Sequence, residues 1–204
     1  MGAREYAQGD SFRHIHWKAT ARRQSLQTKV FEPSNSRPLA LFLNVNTHAN
    51  YSDGYDSELR EFAICAAASI TRQVWADGQA VGLFTNALMP GAGSPIRIRP
   101  RQDAGQLIRM LEALAYIDGF GRWPIETLLR AESSSLPYGS TVVVISALVS
   151  PHLRQMLLDL RRRDYGVSLV TLGDGQLEKP MPGIFHRHIG AHEEWHDLDA
   201  LELA

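Results

Sequence analysis

Short apolar runs alternate along this chain with longer segments whose apolar residues recur every three or four positions, and that alternation restricts the fold more than any other feature. The runs at residues 39–43, 80–84, 141–145 and 167–172 are almost unbroken in apolar or β-branched residues, as strands buried on both faces of a sheet must be. Between them lie helical patterns. Residues 56–77 put Leu59, Phe62, Ala63, Ala66, Ile70 and Val74 on one stripe, with Gly78 placed to end the helix. Asp103 is expected to cap a helix carrying Leu107, Met110, Leu111 and Leu114, and a less regular helical segment spans 124–131. Ser150 and Pro151 supply an N-cap and a first-turn proline, Leu153, Met156, Leu157 and Leu160 form the stripe, and Gly166 closes the helix. The alternation of Ile and Arg at 96–99 predicts an edge strand whose charges discourage pairing with another chain, and 184–189 is a last strand. Together these elements predict an α/β fold: a doubly wound, mostly parallel, Rossmann-like sheet with helices on both faces.

Composition narrows the function classes. Of 204 residues, 44% are hydrophobic and 21% charged, and 21 Lys and Arg face 22 Asp and Glu for a net charge of −1, so no global field draws the molecule to a polyanion. The single cysteine, Cys65, excludes an intramolecular disulfide and a cysteine-based zinc cage. It lies on the apolar side of its predicted helix, where a buried thiol is expected rather than a nucleophile. No apolar stretch reaches bilayer-spanning length, and the first residues are not a secretory signal. A chain that begins with its most patterned stretch is expected to be part of something longer.

In a doubly wound sheet the functional crevice lies beyond the carboxyl ends of the strands, so the loops after Leu43, Phe84 and Ile145 matter most. The first of these, Asn44-Val45-Asn46-Thr47-His48, holds no glycine, which argues against a phosphate-cradling turn. Asn44, Asn46 and His48 occupy the positions at which the von Willebrand factor A domain carries its Asp-x-Ser-x-Ser metal-ion-dependent adhesion site, and the chain resembles that fold. Where that family usually supplies a further Asp after a strand ending in Ser, Ile145-Ser146 is followed by Ala147. A hard divalent ion wants anionic oxygens, and this set offers neutral amides, an imidazole and a methyl group. The metal chemistry reads as dismantled, and no cofactor is expected, with Mg or Ca the alternative.

The most specific stretch is the amino-terminal one: Arg4, Glu5 and Tyr6, then Gly9 and Asp10, then Arg13, Ile15, Trp17 and Lys18, and finally Thr20-Ala21-Arg22. It resembles the signature of a family of bacterial proteins of unknown function found beside MoxR-type AAA+ ATPases, in which the motif precedes a von Willebrand factor A-like domain. The resemblance implies a signature segment, 1–36, packed on a body, 37–204. It further implies a partner ATPase of the MoxR type, a role in assembly or maturation of other proteins, and a parent protein anchored in the membrane with this chain as its cytoplasmic portion. Physically, Gly9-Asp10 is a turn signal. The mixed charges can pair among themselves, while Tyr6, Phe12, Ile15 and Trp17 offer either buried anchors or a docking surface. A nucleic-acid patch built on Arg13, His14, His16, Lys18, Arg22, Arg23 and Lys29 is disfavoured by the interspersed acids.

His192-Glu193-Glu194-Trp195-His196 matches the His-Glu-x-x-His zinc pattern. Glu194 stands where an uncharged residue is usual, and too few residues follow His196 for a downstream ligand, which leaves His186 or His188 as the third. A solvated polar end is the plainer reading. Ser146 has no identifiable base, and no catalytic set is expected: the chain reads as an interaction module, with a zinc hydrolase through His192, Glu193 and His196 as a further alternative.

Overall fold

The structure, a computed structural model, describes residues 2–7, 15–30, 37–48, 54, 56–89, 91, 93–173, 175, 177 and 179–190. The chain divides into two compact units, Met1–Ser36 and Arg37–Ala204. In the first, strand β1 (Gly2–Glu5) pairs antiparallel with β2 (Gln27–Val30), and a short helix α1 (Trp17–Arg23) lies between them in sequence. His16 caps α1 by accepting a hydrogen bond from the Ala19 amide at its Nδ1, 3.2 Å away. Gln24 ends the helix in the left-handed conformation at φ 55°. The Gln27 amide then donates to the Thr20 hydroxyl at 3.0 Å, tying α1 to β2.

The second unit is a six-stranded sheet in the order β5-β4-β3-β6-β7-β8, built from β3 (Leu39–Leu43), β4 (Val81–Leu88), β5 (Pro95–Arg101), β6 (Thr141–Ser146), β7 (Gly166–Leu172) and β8 (Phe185–Ile189). All neighbouring pairs are parallel except β4 with β5. The helices are α2 (Ser57–Ala76), α3 (Gln106–Ala115), α4 (Ile125–Ser133) and α5 (Pro151–Arg162). Alternation along β3 splits the core into two layers: Leu39, Leu41 and Leu43 pack with residues of α2 and α3, whereas Ala40 and Phe42 pack with α4 and α5. Both faces of the central strands are therefore dry, which is why their sequences are continuously apolar.

Several local expectations hold. The Asp56 carboxylate caps α2 through the Glu58 and Leu59 amides, and Gly78 takes φ 76° just past its end. Ser150 caps α5 with Pro151 in its first turn, and Leu153, Met156, Leu157 and Leu160 are its buried residues. Other details differ. Asp103 lies ahead of α3 rather than at its cap: its carboxylate accepts from the Gly105 amide and pairs with Arg109, and the helix begins at Gln106. Leu111 is exposed, and Gln106 takes a core position because its side-chain amide donates to the Val81 and Arg99 carbonyls. The chain leaves α5 through Asp164 at φ 66°, and Gly166 already opens β7. Cys65 is exposed, with its thiol pKa raised first by partial burial and then by the Glu61 carboxylate. A thiol held protonated is a poor nucleophile. Strand β5 lies at the sheet edge with exposed arginines, but Arg97 reaches Glu132 on α4 at 2.8 Å instead of only facing water. No helix among the described residues is long and apolar enough to cross a membrane.

A polar cluster marks the opposite edge. His186 and His188 sit two residues apart on β8, and both hydrogen-bond the buried Thr171 hydroxyl, at 2.8 and 2.9 Å. One hydroxyl donates a single proton, so at most one imidazole accepts from it and at least one donates to it. Burial first, and then charge on His188, hold the His186 imidazole below its ordinary value of 6.5. The unfolded chain therefore binds more protons between the lowered and the ordinary value, and stability rises with pH across that window. The melting temperature should fall as pH is lowered below about 6.5, and His186→Asn should flatten part of that slope in a thermal-melt series.

Candidate functional site

The sheet order puts the change of winding direction between β3 and β6. From β3 the chain crosses to β4 on one side through α2, and from β6 it crosses to β7 on the other through α5. The two helices lie on opposite faces, so the loops leaving β3 and β6 diverge and open a crevice at the carboxyl ends of those strands.

A network of neutral side chains fills the floor of that crevice. Asn44, just after β3, donates through Nδ2 to the Ser146 hydroxyl at 2.9 Å. Its Oδ1 accepts from Asn86 Nδ2 at 2.9 Å and from the Asn46 amide at 3.2 Å. Asn86, near the end of β4, also donates to the Trp123 carbonyl at 3.0 Å and accepts from the Val45 amide at 3.0 Å. Ser146 donates to the Leu148 carbonyl and accepts from the Leu148 amide. Asn46 reaches further, accepting from the Gly121 amide at 2.7 Å. Gly121 is required there, because a Cβ at that position would stand 2.4 Å from Cγ of Asn86. Four separate chain segments are thus tied together without one formal charge. Asn44, Asn86 and Ser146 are 6%, 1% and 0% exposed, so each bond is shielded from competing water.

This arrangement does not suit a hard divalent cation. Such an ion needs several oxygens with lone pairs turned toward it. Here the Asn44 oxygen already receives two N–H groups, the Ser146 oxygen receives two more, and the Asn46 oxygen receives one. Ala147, at the place of a further acid, is 8% exposed and belongs to the core beside α2. His48 is exposed at the rim. Among the described residues no three His, Cys, Asp or Glu side chains group as metal ligands.

Beside the network lies a cleft of about 720 Å³, lined by Asn44, Asn46 and His48 and by the first residues of α4 and α5. Arg130, Glu126 and His152 also line it, and the Ser150 hydroxyl donates to the Glu126 carboxylate. Asn86, Gly121, Arg130, Glu126 and His152 were not apparent as site residues from sequence. The signal available for Asn86 was a polar Thr85-Asn86 pair closing an apolar strand at its carboxyl end.

The amino-terminal signature residues are placed unevenly. Ile15 is 3% exposed, and Tyr6 is half-buried with its amide donating to the Leu26 carbonyl. Trp17 is not a buried anchor, being 68% exposed at the first position of α1, where Lys18 and Arg22 are exposed too. Arg4 and Glu5 lie exposed on β1, and the Arg4 guanidinium donates to the Glu5 carbonyl. Gly9, Asp10 and Arg13 lie outside the described residues, as do His192, Glu193 and His196.

Comparison with known proteins places this geometry in context. The model of a family described as "Protein of unknown function DUF58" matches residues 2–184. The uncharacterized protein YeaD of Bacillus subtilis (strain 168) is 32% identical over 153 residues, which cover 74% of this chain and 35% of that protein. The chain thus spans about a third of that relative's length. Among solved structures, the SpRpn10 VWA domain superimposes with a TM-score of 0.52 at 13% identity, covering 79% of this chain and 92% of its own. The proximal thread matrix protein 1 of the mussel byssus gives a TM-score of 0.50 at 9% identity, covering 74% and 44%. At such identities the likeness is one of fold, and the fold is that of a von Willebrand factor A domain.

Proposed function

Since the chain belongs to the DUF58 family, whose description leaves its activity open, we propose that it is a protein-interaction module, not an enzyme, and that it works with a MoxR-type AAA+ ATPase in the assembly or maturation of other proteins. The observation that carries this reading is the crevice floor. Where an enzyme or a metal site would hold charged or nucleophilic groups, the chain invests its buried polar atoms in bonding its own loops to one another. A crevice stiffened this way presents a fixed surface, which lowers the ordering cost of binding a partner. The exposed Trp17 and Arg22 of the signature are residue types that anchor interfaces. So are Phe120 and Trp123 on the loop ahead of α4, 53% and 37% exposed. The signature also supports a membrane-anchored parent with this chain on its cytoplasmic side.

The deciding experiment is copurification of the full-length parent with the neighbouring ATPase, with and without Trp17→Ala and Arg22→Ala. Recovery of the ATPase that drops on substitution is the expected result. Failure to recover any ATPase with the signature intact would overturn the partnership. A companion prediction concerns metal. Because the crevice oxygens are engaged by N–H groups, millimolar Mg or Ca should leave the melting temperature unchanged, where a bound ion would raise it by linkage. A rise that EDTA reverses would restore the metal reading.

A further inference from the structure

Helix α3 is apolar on two sides. Met110, Ala113 and Leu114 are buried in the core, while Ile108, Leu111 and Ala115 form a second stripe that is exposed. Their spacing of three and then four residues keeps them on one side of the helix. Ile108 is 59% exposed. A surface helix of a soluble domain carries polar residues on its outer face, so an outward apolar stripe of this kind marks a contact surface. On one flank of the stripe, three positions apart, stand Arg109 and Glu112, both exposed. They do not pair with each other. The Arg109 Nη2 donates to the Asp103 carboxylate and to the Gln106 side-chain oxygen. Its Nε and Nη1 groups and the Glu112 carboxylate have no partner among the described residues.

We propose that this face of α3 binds the same face of a second copy of the chain, as an antiparallel helix pair about a twofold axis beside Leu111. The occupant follows from the way the face complements itself. With the axis there, Ile108 of each copy falls opposite Ala115 of the other, so a bulky side chain meets the space over a small one twice, and the two Leu111 side chains meet beside the axis. The same twofold keeps the charged flank on one side of both helices. Arg109 of each copy then stands across from Glu112 of the other, and two ion pairs close over the edge of the apolar contact. A parallel pair would set the charged flanks on opposite sides and leave both without partners. Since α3 has 10 residues and is about 15 Å long, it falls short of the roughly 800 Å² per partner of a standard interface. The dimer is therefore weak and concentration-dependent. This inference stands apart from the interaction-module reading.

The test is sedimentation velocity on the whole chain over a concentration series from about 5 to about 500 µM, the range in which an interface below standard size dissociates. The wild type should shift from monomer toward dimer across the series. Ile108→Glu should stay monomeric, as should Ile108→Ser, which adds no charge, each a loss in association of about tenfold or more. Glu112→Arg alone should weaken the dimer several-fold by setting Arg opposite Arg. Arg109→Glu combined with Glu112→Arg should restore it, because exchanging both signs rebuilds both pairs. Salt of about 1 M should shrink the charge effects and spare the Ile108 effect. All three positions are exposed, so the melting temperatures of the variants in dilute solution should stay close to the wild type and report intact folding. A wild type that remains monomeric at the highest concentration overturns the proposal. So does a dimer that survives Ile108→Glu, or a double exchange that fails to restore what Glu112→Arg lost. Recovery of the ATPase by a parent protein carrying Ile108→Glu would leave the interaction-module reading standing, and a dimer in a chain that recovers no ATPase would leave this inference standing.

Discussion

Asn86→Ala is expected to destabilise the chain by about 3 kcal/mol, because three hydrogen-bonding groups lose their partner at once. The Val45 amide, the Asn44 side-chain oxygen and the Trp123 carbonyl all bond the Asn86 amide, and Asn86 is 1% exposed, so water does not replace it freely. For a chain of this length that cost lowers the melting temperature by about 6–12 °C. Asn86→Asp should be as damaging although it is nearly isosteric. It turns the two donated bonds into contacts between oxygens, at Asn44 and at the Trp123 carbonyl, and places a charge in a site with no cation. Thermal melts of the two variants decide the matter. If Asn86→Asp melts like the wild type, the amide is not the donor inferred here, and the account of the crevice floor falls with it.

Phe42→Ala is expected to cost about 4 kcal/mol, the largest effect of any single truncation considered. Phe42 is fully buried on β3 and stacks on Phe84, its register partner on β4, with ring centroids 4.8 Å apart and planes 15° from parallel. Its removal leaves a cavity in the layer under α4 and α5, where Leu129 and Leu157 are also fully buried. Small variants with retained volume, such as Phe42→Leu, should lose less than half as much. Equilibrium urea unfolding distinguishes this from the Asn86 effect. The Phe42 variant loses packing and transfer energy in the core, whereas Asn86→Asp adds a buried charge whose cost eases as the pH is lowered and the carboxylate is protonated.

Much of the fold was legible because its determinants are local. The stripe of Leu59, Ala63, Ala66, Ile70 and Val74, the cap at Ser150 and the continuous apolar run of β6 each lie within one element, and each element formed where its own period required. Errors arose where a distant group decided the outcome. Gln106 is buried because the Val81 and Arg99 carbonyls, on two strands, accept its amide protons. Leu111 faces water because the interior side of α3 is already set by Met110, Ala113 and Leu114. Cys65 was expected inside the helix–sheet layer, and the rotation of α2 that buries Ile64 and Ala67 turns it outward.

The candidate site shows the same division more sharply. Asn44, Asn46 and His48 could be named from their place after the first apolar strand, and Ala147 from its place after Ser146. That Asn44 bonds Ser146, 102 residues away, that Asn86 closes the same network, and that the Gly121 amide reaches Asn46 across 75 residues are facts of three-dimensional assembly. Periodicity, caps and burial on both faces are written into neighbouring residues, so the layered α/β architecture and the position of the crevice follow from local pattern. The character of that crevice came from assembly: a neutral, self-bonded floor beside a cleft lined by Arg130, Glu126, His48 and His152. Hydrogen bonds and charge balance among residues scores of positions apart depend on which strands lie side by side, and no local pattern encodes that.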